Sequence, residues 1–134
     1  MATFNPVPAN TFVSIIKTKN METLKEFMLI FRFEPVLETP DAQQENEMHK
    51  QWGDFISDVA VNGKLVSTHQ LGYNGVQITT TMDIKEGFRV SENEVIGGNM
   101  IVKAESFSDA IAIAQKCPVI LMGGSVEIRD ILPI

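Results

Sequence analysis

Two stretches of this chain carry the same succession of patterns, and that repetition limits its folds more than any single motif does. In the first, Glu26-Phe-Met-Leu-Ile-Phe-Arg-Phe33 is short, aromatic-rich and stopped by Glu34-Pro35, which marks a strand mostly buried on both faces. Asp41 then offers an N-cap, and Met48, Trp52, Phe55, Ile56 and Val59 recur at helical spacing up to Asn62. Gly63 stands where a left-handed residue commonly follows a helix. Lys64–Leu71 alternates Leu65, Ser67 and His69 against Val66, Thr68 and Gln70, as a strand does. The second stretch repeats the order. Val95–Ala104 reads as a strand, and Ser106 caps a helix with an apolar stripe at Ala110, Ile111 and Ala114, Asp109 serving as a weak capping-box acid. Cys117-Pro118 stops that helix, and after Gly123-Gly124 the last strand is Ser125–Ile131.

Between the two stretches, Gly72-Tyr-Asn-Gly75 is a turn signal, and Val76–Met82 is expected to pair back as the other arm of a hairpin. Asp83–Gly87 reads as a loop and Phe88–Val90 as a brief extended piece. Two β-α-β halves, 26–71 and 95–131, are what a ferredoxin-like antiparallel α+β sheet is made from. Both helices would cover one face of that sheet. The other face stays partly apolar, so a partner is needed, and a second copy is the economical one. The expected organisation is an N-terminal arm, 1–25, with a short strand or helical turn around Phe12–Lys17, followed by one domain, 26–134.

Composition narrows the function. A chain of 134 residues suits a single domain with its own core. Its net charge is −6 and its 11 basic residues are scattered, which argues against nucleic acid as a partner. No apolar run approaches a membrane span, and residues 1–10 lack a signal-peptide pattern, so a cytoplasmic location without membrane partners is expected. A single cysteine excludes an internal disulfide, and two histidines make a zinc site improbable, so neither metal nor cofactor is expected. Cys117, at a helix end, reads as a packed thiol. Gly97-Gly98 and Gly123-Gly124 match no phosphate-binding spacing and read as bulges or close approaches before strands.

Glu26–Arg32, Trp52-Gly53, Gly63-Lys-Leu-Val66, Gly87-Phe88, Ile96-Gly-Gly98, Cys117-Pro118 and Gly124-Ser-Val-Glu-Ile-Arg129 occur in one order. That succession resembles the YCII-related family, in the branch named for its Asp-Gly-Pro-Phe (DGPF) motif. The likeness covers about residues 26–131. It implies a ferredoxin-like subunit that dimerises sheet to sheet into a dimeric α+β barrel. Two departures stand out. The naming motif reads Glu86-Gly87-Phe88, without its proline, and Asn99 follows Ile-Gly-Gly where an aromatic residue is usual.

The family resemblance also implies a site, because relatives carry a helix histidine proposed to act with an aspartate. His49 resembles that histidine in placement. Asp83, in the loop before Gly87, is the candidate partner, with Asp54 and Asp58 on the histidine's own helix as alternatives. Such a pair could work as a general acid and base. Alternation supplies a second constellation. Arg32 and Glu34 share a face with Met28 and Ile30, and Glu127 and Arg129 share a face opposite Val126 and Ile128. The first and last strands are antiparallel neighbours in a ferredoxin-like sheet, so Arg32, Glu34, Glu127 and Arg129 should meet away from the helices, near Asn99 and Lys103. His69, mid-strand between Thr68 and Gln70, could face the same pocket or solvent, and neither its period nor its neighbours decide. Inside a barrel this cluster would bind a small molecule; otherwise it is a set of cross-strand ion pairs. The functional expectation is a small-ligand-binding or regulatory accessory domain, as some DGPF relatives accompany sigma-factor-like regulators. The alternative is a cofactor-free enzyme using a His/carboxylate pair.

Overall fold

The structure is a computed structural model, and it describes residues 24–35 and 40–134. The expected element around Phe12–Lys17 lies outside the described residues. Along the chain come β1 (Lys25–Phe33), α1 (Ala42–Val61), β2 (Leu65–Gln70), β3 (Val76–Ile78), β4 (Ile84–Glu86) and β5 (Val95–Ala104). They are followed by α2 (Phe107–Ala114), α3 (Pro118–Leu121) and β6 (Ser125–Asp130). β2, β5, β1 and β6 lie in that order in one antiparallel sheet of four strands. Each β-α-β half therefore straddles a strand of the other, which is the ferredoxin-like arrangement.

Local chemistry explains where α1 starts and stops. The Asp41 carboxylate accepts from the Gln44 N–H at 2.7 Å while the Gln44 side chain accepts from the Asp41 N–H at 3.1 Å. This reciprocal box satisfies two otherwise orphaned donors. At the other end Gly63 takes φ +72° and the Lys64 N–H donates to the Val59 carbonyl at 3.1 Å. α2 is capped by Ser106, which accepts from the Asp109 N–H at 3.4 Å.

One face of the sheet meets the helices. Phe27, Leu29 and Phe31 of β1 and Met100, Val102 and Ala104 of β5 are buried there. They pack with Phe55 and Val59 of α1, Ala110 and Ala114 of α2 and Val119 of α3. Burying each large apolar side chain contributes roughly 1.5–3 kcal/mol. The alternate residues Met28, Ile30 and Ile101 occupy the opposite face and are half-buried.

Several local expectations are corrected. β3 pairs with β4, in a separate two-stranded sheet, rather than with β2. The Asn74-Gly75 signal does not close a hairpin, because Gly75 accepts from the Gly87 N–H at 2.9 Å and packs on Phe88. The hairpin closes instead at Thr79–Asp83, where the Thr79 N–H donates to the Asp83 carbonyl at 2.9 Å, so Ile84–Glu86 is a strand and not a loop. In β2, Leu65 pairs with Val102 but Ser67 pairs with Ile101, so a bulge at Val66 breaks the simple alternation. Leu65 and Thr68 consequently share the helix-covered face, with Ser67 and His69 opposite. Pro118 does not only stop a helix. It opens α3 at a first-turn position, where its missing N–H costs nothing.

Candidate functional site

A cavity of about 340 Å³ lies between α1 and the end of the sheet where β1 finishes and β5 begins. That volume sits at the small end of the ~300–1,000 Å³ typical of ligand pockets. From α1 it receives Met48, His49, Trp52 and Ile56, successive residues of one helical stripe. β1 supplies Phe31 and Phe33, and β2 with the turn after it supplies Thr68, His69, Gln70, Leu71 and Tyr73. Gly97 and Gly98 line it from β5, and Val119 and Met122 from α3 and its end. Trp52 stands edge-on to Phe31 with ring centroids 5.2 Å apart, and Tyr73 is braced by Phe88 at 5.6 Å.

The glycine pair shapes this end of the sheet. Both residues lie inside β5, at the point where the β1 register slips between Phe31 and Arg32. A Cβ on Gly98 would stand 2.5 Å from the His69 carbonyl oxygen, and one on Gly97 would overlap the Phe33 ring. The expected bulge with close backbone approach is thus present, though within the strand rather than before it.

On the uncovered face the register brings the second constellation together. Ile30 pairs with Asn99 on one side and Glu127 on the other, Met28 with Arg129, and Asn99 with His69. Arg32 Nη1 donates to Glu127 Oε1, and Arg129 Nη1 approaches Glu127 Oε2 at 3.5 Å. The hydrogen bond from Arg32 holds the Glu127 carboxyl below its ordinary range, with the positive charges of Arg32 and Arg129 adding to it and desolvation opposing it. The Asn99 side-chain oxygen is buried and accepts no hydrogen bond from the described residues.

His49 and Asp83 stand on different elements. His49 is exposed on α1 at the cavity, whereas Asp83 sits at the turn between β3 and β4 and accepts from the Thr81 hydroxyl at 2.9 Å. Asp54 is engaged with Lys50 at 2.8 Å. Among the described residues, no carboxylate lines the cavity that His49 lines. Nor, among them, do His, Cys, Asp or Glu side chains cluster as metal ligands would. Cys117 is buried, and desolvation pushes its thiol up to about 11, which suits packing rather than nucleophilic work. No helix among the described residues is long and apolar enough to cross a membrane.

Phe33, Met48, Trp52, Tyr73 and Met122 were not expected at a site. The spacing of Met48 and Trp52 matches that of the buried Phe55 and Val59, so periodicity alone cannot separate cavity wall from core. The one distinguishing signal is compositional. His49 and the adjacent Lys50 place polar groups beside this end of the stripe.

Sheet order and helix placement define a ferredoxin-like α+β domain whose cavity lies beside its first helix. Within that class, the profile of the YCII-related domain matches residues 25–134, beginning at the first residue of β1, and the chain belongs to this family. No curated protein matches it.

Proposed function

We propose that this YCII-related chain, as a DGPF-type member, is a small-ligand-binding accessory domain with a regulatory rather than catalytic output. The observation that carries the reading is the cavity between α1 and the sheet, with aromatic walls and His49, Thr68 and Gln70 among its polar residues. A few polar groups set into an apolar concavity are the usual makeup of a small-molecule site. Among the described residues no carboxylate lines the cavity with His49, which weighs against a His/carboxylate acid–base pair there. A second copy covers the open sheet face in this reading. It encloses Met28, Ile30 and Ile101 together with Arg32, His69, Asn99, Glu127 and Arg129.

Trp52 is the chain's one tryptophan and it lines the cavity, so its indole N–H resonance reports directly on occupancy. Titrating a chemically mixed fragment set into the full chain should move that resonance with saturation. If no fragment moves it at millimolar concentration, the binding reading falls. The competing reading, a cofactor-free enzyme using His49 with Asp83, is favoured only by the presence of His49 at the cavity. It predicts turnover of a bound compound that His49→Ala abolishes while leaving the Trp52 response intact.

A further inference from the structure

We propose that the cavity beside α1 selects an uncharged, planar aromatic molecule and rejects its anionic counterpart. This rests on the binding reading above and specifies the chemistry of its ligand. Two cavities of nearly equal size make the contrast. The one between α1 and α2, about 330 Å³, is lined by Asp58, Lys64, Asp109 and Lys116 among others. The one beside Trp52, about 340 Å³, has no Lys, Arg, Asp or Glu among its described lining residues.

An anion entering the second cavity would leave water with no Lys or Arg to meet it, only the imidazoles of His49 and His69, which must first take up a proton, and such burial is disfavoured. The chain's net charge of −6 adds a long-range penalty for anions. The walls supply what a flat apolar ring needs. Phe31 and Trp52 already meet edge to face, Phe33 and Tyr73 add further rings, and the thioethers of Met48 and Met122 can adapt to a ring edge. Polar recognition is sparse. The Thr68 hydroxyl already donates to the Asn99 carbonyl at 3.1 Å, so what it has left to offer a ligand is an acceptor lone pair. The Gln70 amide and the His49 imidazole can each give or take a bond. A ring system with a single neutral donor–acceptor group fits this inventory.

The test is a matched pair, 2-naphthamide and 2-naphthoate, titrated by calorimetry into the full chain with the Trp52 indole resonance as the site marker. The amide should bind and shift the resonance, and the carboxylate should bind at least ~10-fold more weakly. Met48→Lys, which keeps good helix propensity on a half-buried position, should reverse the order by supplying the missing cation. Equal or tighter binding of naphthoate to the unmodified chain overturns the charge rule while leaving the pocket reading in place. If neither probe moves Trp52 although other fragments do, the aromatic class is wrong. If nothing at all moves it, the binding reading fails first.

Discussion

The two faces of the sheet are built from alternate residues of the same strands, yet they end in opposite states. On the helix-covered face Leu29, Met100 and Val102 are wholly buried, with no polar or charged side chain buried among the described residues. On the other face Met28, Ile30 and Ile101 are half-buried and are bordered by the Arg32–Glu127–Arg129 chain of ion pairs and by Asn99. Strand periodicity alone thus makes one surface that needs nothing further and one that still has apolar area to lose. The first holds the fold together. The second is where association would be worth something.

Truncation separates them most sharply. Leu29→Ala empties a site with no solvent contact and should cost about 2–5 kcal/mol in chemical denaturation. Ile30→Ala, one residue along, should cost about half as much in dilute solution, because a half-buried side chain loses less on truncation. Equal losses at both positions would mean the second face is as closed as the core. The glycine pair gives the next effect. Gly98→Ala sets a Cβ against the immovable His69 carbonyl and should destabilise by about 1–3 kcal/mol. Gly97→Ala pushes instead on the end of the Phe33 ring, which can swing aside. It should cost less while changing the Trp52 fluorescence, and a Gly97 variant as unstable as the Gly98 one would contradict the geometry.

The same contrast shows what could be read before the fold was known. The face assignments of Arg32, Glu127 and Arg129 followed from alternation plus strand order, because parity survives errors in where a strand ends. α1 was legible from Asp41 to Gly63, since caps are local signals. The β3–β4 hairpin was not. Choosing between Val76 pairing with β2 or with Glu86 is a non-local competition, decided by the Gly75–Gly87 hydrogen bond and the Phe88 contact. The cavity was illegible for a related reason. Trp52 and Phe55 belong to one helical stripe, and only the position of β1's end and the Gly97–Gly98 bulge decides that one borders a void while the other is core.

Association is the next discriminator. Ile101→Glu introduces an acid on the uncovered face, beside Met28, where a monomer can keep it hydrated. Monomer stability should fall by about 1–2 kcal/mol, as for Ile30→Ala, since the half-buried apolar area of Ile101 is lost while the new carboxylate stays in water. If a second copy covers this face, sedimentation at micromolar concentration should show the unmodified chain as a dimer and this variant as a monomer. Dimers in both would place the contact elsewhere.

The smallest effect compares one ion pair from each side of the sheet. Lys64 Nζ donates to both Asp109 oxygens, at 3.0 and 3.3 Å, and these bonds hold the Asp109 carboxyl below its ordinary range. The Glu105 N–H adds to the depression, and partial burial works against it. Glu127 is depressed likewise, by Arg32 first. A carboxyl whose folded pKa is depressed binds protons less readily in the native state than in the unfolded chain. Its stabilising contribution is therefore present above the unfolded value, near pH ~4, and is lost as pH falls through the folded value. Melting temperature should thus decline with acidification below that point, and Asp109→Asn should flatten part of the decline. Glu127→Gln should flatten a further part. Added salt should shrink the Glu127 share if that pair faces water, because exposed charges are screened within about 10 Å at 0.1 M. A Glu127 share that resists salt, and that grows with protein concentration, would instead put a second copy over the Arg32–Glu127 pair.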